Sequence, residues 1–148
     1  MSDKTIQIEL VQQHDYRFDV HFGGDMPVVT TDEPAPLGTG LGPSPVQLLC
    51  AAVGNCLSDS LLFALRKFKQ APEPIHCKVQ AEVGRNADNR LRVLKITAAL
   101  TLGVPGAGLE HLDRVLESFE QYCTVTQSVG QGIAIETQVF DSTGQRLK

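Results

Sequence analysis

Hydrophobic and polar residues alternate at the start of the chain, with Ile6, Ile8 and Leu10 set between polar neighbours. The alternation predicts strands over Thr5 to Gln12 and Tyr16 to Phe22, joined by a turn at His14 and Asp15. Gly23 and Gly24 break the second run, and Val28 to Thr31 predicts a third short strand before a loop rich in Gly and Pro from Asp32 to Pro45. That loop leads into a helix whose start carries a complete set of capping residues: Ser44 as N-cap, Pro45 at the first helical position and Gln47 closing a capping box. From there the period becomes helical. Leu48, Leu49, Ala52, Val53, Cys56, Leu57, Ser60, Leu61, Ala64, Leu65 and Phe68 form one broad apolar face to about Gln70. Cys50, Ala51, Leu62 and Phe63 lie off that face. The helix is therefore apolar on more than one side, and its length of roughly 38 Å rivals the diameter of a domain this size. A single sheet hardly covers such a helix, so a second subunit is expected.

Pro72 and Pro74 end the helix, and alternating strands over Ile75 to Val83 and Leu91 to Leu102 flank a turn at Asn86 to Asn89. After Gly103 to Gly108, the residues Leu109, Leu112, Val115, Leu116, Phe119 and Tyr122 predict a second amphipathic helix ending near Cys123, with a further short turn of helix over Thr124 to Val129. Gly130 and Gly132 precede a last strand, Ile133 to Phe140. Strands, helix, hairpin, helix and strand in this order predict an α+β fold with an antiparallel sheet, in a single domain over 1–148.

Composition narrows the function. The 148 residues are 42% hydrophobic, enough for a core without disulfide staples, and a formal net charge of -4 with dispersed Lys and Arg offers no field for nucleic acid. Residues 1–10 lack an apolar segment behind a basic start, and no stretch was expected to reach the roughly 18 to 20 apolar residues that cross a bilayer. A soluble, cytoplasmic protein with no membrane partner is expected. Four cysteines, Cys50, Cys56, Cys77 and Cys123, show no zinc spacing, and neither metal nor cofactor is expected. In a reducing compartment a cysteine is either a small buried hydrophobe or a reactive thiol, and buried is the commoner case.

Gly42-Pro43-Ser44-Pro45, Leu48-Leu49 and Ala51-Ala52-Val53-Gly54-Asn55-Cys56 together resemble the OsmC/Ohr signature that precedes the family's first cysteine. Tyr122-Cys123-Thr124-Val125-Thr126-Gln127-Ser128-Val129 resembles the second cysteine motif, commonly Cys-Pro-Val-Ser followed by a small polar and an aliphatic residue. The order of elements matches over nearly the whole chain. The resemblance implies an OsmC-like fold in which antiparallel sheets pack on two central helices of an intertwined homodimer. It also implies thiol-dependent reduction of organic hydroperoxides, with Cys56 as the peroxidatic and Cys123 as the resolving cysteine. In that chemistry a thiolate attacks the O–O bond, the sulfenic acid condenses with the second thiol, and a dithiol reductant, lipoyl-type in several members, restores both.

A thiolate inside an apolar helix face needs a cation or donor. Arg17 is the one arginine before the helix and the candidate, against the competing reading of a solvated arginine on an edge strand. Arg66 lies roughly 15 Å further along the helix axis. The family's usual Gly-Arg context is missing, and Val46 stands where many peroxide-reducing members carry a glutamate to orient the arginine. Asp32 or Glu33 is a possible substitute, and Asp59 would oppose a Cys56 thiolate if it faced the sulfur. Thr124 replaces the usual proline but suits a short helix whose N–H groups would favour a Cys123 thiolate. Cys50, Cys77 and the scattered His14, His21, His76 and His111 are read as structural. The alternative function is a non-catalytic dimer acting as a redox sensor or small-molecule binder.

Overall fold

The computed structural model describes residues 3–148, which gather into two compact units, one ending at Leu48 and one running Leu49–Lys148. In the first unit, strands β1 (Glu9–His14), β2 (Arg17–His21) and β3 (Val29–Thr31) form an antiparallel sheet in that order. The hairpin turns at Asp15, whose φ of 50° is left-handed, and Gln12 Nε2 donates to the Asp15 carbonyl at 3.0 Å. The first strand starts later than its pattern suggested. Glu9 pairs with His21, and beyond His21 the partner strand swings away through Gly23 (φ 102°) and Gly24 (φ 56°), so Ile6 and Ile8 are left exposed. Gly42 in the following loop is required by close approach, because a Cβ there would strike the Thr30 carbonyl.

Helix α1 (Pro45–Lys67) begins with the anticipated capping box: Ser44 N–H donates to Gln47 Oε1 at 2.9 Å, and Gln47 N–H to Ser44 Oγ at 3.3 Å. It stops at Lys67, short of Gln70. Lys69 turns left-handed (φ 59°) and Gln70 N–H closes back on the Leu65 carbonyl at 3.0 Å, a helix stop that acts before Pro72 is reached. In the second unit the buried stripe of α1 is Val53, Gly54, Leu57, Leu61 and Leu65. Ala52, expected on it, is exposed. Gly54 faces the sheet instead, where a Cβ would come within 2.6 Å of Val79 Cγ2, so the missing side chain sets how closely strand and helix approach.

Strands β4 (His76–Arg85) and β5 (Leu91–Thr101) form the expected antiparallel hairpin, its turn held by Asn86 Oδ1, which accepts from the Asp88 and Arg90 N–H groups at 3.0 Å. The last strand, β6 (Ala134–Phe140), departs from the expectation of an antiparallel sheet: it runs parallel to β5, giving the order β4-β5-β6. The chain between Thr101 and Ala134 carries all the remaining helices, and a connection of that length permits a crossover, whereas a tight turn would have enforced antiparallel pairing. The anticipated second helix is also broken. It consists of α2 (Leu112–Ser118), a 3₁₀ turn over Phe119–Tyr122, an extended residue at Cys123 (φ -83°, ψ 99°), and α3 (Thr124–Val129). The tighter 3₁₀ winding rotates Tyr122 off the apolar face, leaving it 74% exposed while Phe119 is fully buried. One core unites Val53, Leu57, Leu61 and Leu65 of α1 with Ile96, Ala98 and Leu100 of β5, Val115 and Leu116 of α2, Phe119, Cys123 and Val139.

One expectation about membranes is corrected. By length and composition α1 is apolar enough to cross a bilayer, because Gln47, Asn55 and the Ser58-Asp59-Ser60 run interrupt the apolar residues without outweighing them, and 28% of its most apolar stretch is buried. A core helix of a soluble protein has the same composition. Replacing Gly54 tests the packing of α1 on β4. Gly54→Leu gains about 1 kcal/mol of helix propensity but overpacks the contact with Val79. We expect a net loss of about 1–3 kcal/mol in denaturant unfolding, and an unchanged midpoint would show that the two elements are not held together there.

Candidate thiol site

Cys56 and Cys123 meet inside the second unit. Cys56 comes from α1, next to the buried Leu57, and is half-buried; Cys123 sits between the 3₁₀ turn and α3 and is fully buried. Burial is the main cause that pushes the Cys56 thiol up. The Cys123 thiol, close enough to hydrogen-bond with it, adds to the rise, and the backbone N–H groups of Val125 and Thr126 act in the opposite sense. This corrects one detail of the sequence reading. The N–H groups at the start of α3 are expected from the sequence to favour a Cys123 thiolate; those of Val125 and Thr126 favour Cys56 instead, while Cys123, where the chain is extended, turns its own sulfur towards the Thr126 side chain.

Thr126 was not singled out from the sequence. Its side chain is buried, and Cys123 Sγ–H donates to Thr126 Oγ1 at 2.8 Å. The same residue therefore bonds one sulfur with its hydroxyl and, through its backbone N–H, favours the charged form of the other. The signal available in the sequence was the Cys-x-x-Thr spacing at a helix start, where a side chain three residues on folds back over the first.

Arg17 lies in the first unit, at the start of β2. Its Nη2–H donates to Thr39 Oγ1 at 3.0 Å, Thr39 Oγ1–H donates to Asp32 Oδ2 at 2.8 Å, and Arg17 Nε stands 3.9 Å from the same oxygen. Asp32 is 3% exposed and also accepts from the N–H groups of Glu33, Thr39 and Leu41. Its carboxyl is lowered from 3.8 to about 2, first by the Thr39 hydroxyl and then by these backbone donors, against the opposing cost of burial. Of the two acids near the sequence position of the missing glutamate, Asp32 is thus the one beside Arg17. Arg17 Nε is itself buried and without a hydrogen-bond acceptor.

Asp59 does not oppose the thiolate: Asn55 Nδ2–H donates to it at 3.0 Å on the exposed side of α1. Cys50 and Cys77 line a separate cleft of about 280 Å³ between α1 and β4, and burial raises both thiols, Ser58 acting in the opposite sense on Cys77. Neither belongs to the pair formed by Cys56 and Cys123. His111 stacks on Phe68, with ring centroids 4.5 Å apart, while His14 pairs with Asp15 at 3.0 Å. Among the described residues no three His, Cys, Asp or Glu side chains are placed to share a metal ion.

The model of the OsmC-like protein family matches residues 38–138, a span that includes both cysteine motifs. Among solved structures, an OsmC-like protein of unknown function from Vibrio cholerae superposes with a TM-score of 0.79 at 15% identity, covering 93% of this chain and 100% of that one. An organic hydroperoxide resistance protein from Elizabethkingia anophelis gives 0.74 at 15% identity, covering 95% and 99%. The organic hydroperoxide resistance protein OhrB of Bacillus subtilis gives 0.71 at 11% identity, covering 92% and 98%. These likenesses show the fold. No protein of curated function matches the sequence.

The Asp32 cluster generates a pH prediction. Its folded pKa of about 2 lies below the ordinary 3.8, so its contribution to stability is present above about pH 4 and is lost as pH falls through about 2. Asp141, also lowered to about 2, titrates in the same window. In acid unfolding between about pH 5 and pH 2, Asp32→Asn should lose stability less steeply than wild type. Parallel curves would show that Asp32 is not held ionised by this loop.

Proposed function

The chain belongs to the OsmC-like protein family, and from that premise we propose that it reduces organic hydroperoxides with Cys56 as the attacking thiol and Cys123 as the resolving one. The observation that carries this reading is the adjacency of the two thiols, one half-buried and one fully buried, around a shared set of polar groups from Val125 and Thr126. The difference in exposure supports this order. A peroxide reaches the partly exposed Cys56 first, and the buried Cys123 meets a sulfur rather than bulk oxidant.

In the first step the Cys56 thiolate attacks the distal oxygen of R–O–O–H. The O–O bond breaks, the alkoxide leaves as ROH after taking a proton, and Cys56 becomes a sulfenic acid. Cys123 then displaces the hydroxyl as water and forms the disulfide, and an external dithiol returns both thiols by exchange. Burial of Cys56 works against the first step, so a cation is needed, and Arg17 is our proposal on sequence grounds. A reducing, cytoplasmic setting suits the cycle, and the similar Elizabethkingia and Bacillus proteins are organic hydroperoxide resistance proteins.

We further assign the protein to a homodimer. Phe63 on α1 is 66% exposed and Leu41 65%, and the apolar stretch of α1 is only 28% fully buried within one chain, which leaves apolar surface for a second copy to cover. A second functional reading, a sensor that forms the disulfide without turnover, is favoured by the raised Cys56 thiol and by Val46.

Wild type should consume cumene or tert-butyl hydroperoxide only with a dithiol present. Cys56→Ser should abolish turnover, while Cys123→Ser should permit a single turnover that leaves Cys56 trappable by dimedone. Absence of peroxide consumption with lipoyl-type and small-molecule dithiols alike would refute the peroxidase, and a stable disulfide in the same experiment would support the sensor. For assembly, sedimentation should give twice the monomer mass, and Phe63→Glu should reduce it to that of the monomer.

A further inference from the structure

Resolution of a sulfenic acid has a proton problem. The condensation Cys56–S–O–H + Cys123–S–H → Cys56–S–S–Cys123 + H₂O makes a good leaving group only if the departing hydroxyl receives a proton, and that proton must come from the attacking thiol, which has to lose it. Cys123 is fully buried, so bulk water is a poor carrier between the two.

We propose that the Thr126 hydroxyl relays this proton. Its Oγ1 accepts from Cys123 Sγ–H at 2.8 Å, its own side chain is 6% exposed, and its backbone N–H lies against the Cys56 sulfur that bears the leaving hydroxyl. The bond from Cys123 uses the Thr126 hydroxyl as an acceptor, which leaves its own proton for the sulfenic oxygen. A hydroxyl has one donor and two acceptor sites, so Thr126 accepts the Cys123 proton as it passes its own to the sulfenic oxygen. The S–H and S–O bonds break, the S–S bond forms and water leaves; Cys123 is oxidised, the Cys56 sulfenic sulfur is reduced, and no further reagent is consumed. Thr126 acts in the resolving step.

This inference rests on the peroxidase reading, and the test separates the two. The first arm is Cys123→Ser given one equivalent of cumene hydroperoxide: a dimedone adduct on Cys56 is expected, and its absence overturns the peroxidase reading and the relay with it. The second arm follows sulfenic acid and disulfide in single turnover. In Thr126→Val, close in shape but without the hydroxyl, disulfide formation should slow on the order of 10²-fold relative to sulfenic acid formation, and Thr126→Ser should recover most of it. An adduct in the first arm with a wild-type ratio in Thr126→Val overturns the relay alone. Wild type itself provides a third arm that needs no variant: disulfide formation should be slower in D₂O, and equal rates in D₂O and H₂O overturn the relay. The S–H stretching band of reduced protein should also move to higher frequency in Thr126→Val, since the Cys123 donor bond is lost, and an unmoved band has the same consequence.

Discussion

The seating of α1 against β5 and the broken second helix is the constraint on which the thiol site depends. Val53, Leu57, Leu61 and Leu65 are inaccessible to solvent, as are Ile96, Ala98 and Leu100 opposite them. Each fully buried aliphatic side chain removes roughly 1.5–3 kcal/mol worth of apolar surface from water, so rotating the helix about its axis would forfeit several such terms at once. That lock fixes the direction of Cys56, which follows Asn55 on the edge of the stripe rather than at its centre. The cysteine is therefore half-buried by construction. It is deep enough to meet Cys123 and shallow enough to meet a solute.

The break in the second helix is the other half of the arrangement. A continuous helix through Cys123 would have turned its side chain along one regular stripe. The extended residue at Cys123 instead lets α3 start afresh, so that the first N–H groups of α3 stand beside Cys56 while the Thr126 hydroxyl stands beside Cys123. A helix start leaves N–H groups without intrahelical acceptors, and here a sulfur occupies that position. The same feature serves packing and polarity: the 3₁₀ turn buries Phe119 in the core and commits Cys123 to a site with little water.

In the first unit, a single carboxylate organises the loop that the Gly and Pro residues leave irregular. Asp32 gathers the N–H groups of Glu33, Thr39 and Leu41 and one hydroxyl, and the Thr39 hydroxyl in turn orders Arg17. A buried acid is tolerated there because every donor around it favours the charged form. The carboxylate beside Arg17 thus comes from the loop, not from position 46.

Much of this was legible from residue order. The reciprocal bonds of Ser44 and Gln47, the hairpin at Asn86 to Asn89 and the identity of the core residues follow from local chemistry and periodicity, which act over a few residues and so are written in a few residues. Other features were decided only in three dimensions. Ala52 yields its place to Gly54 because β4 approaches on that side; β6 runs parallel because a long connection imposes no direction on its end; Lys69, not Pro72, stops α1. Above all, the sequence shows two cysteines in motifs resembling a known pair, but it does not show that the Cys123 thiol donates to the Thr126 hydroxyl. That contact requires an extended residue between two helical segments, a backbone state that Cys123 adopts because Phe119 before it and Val125 after it must both reach the same core.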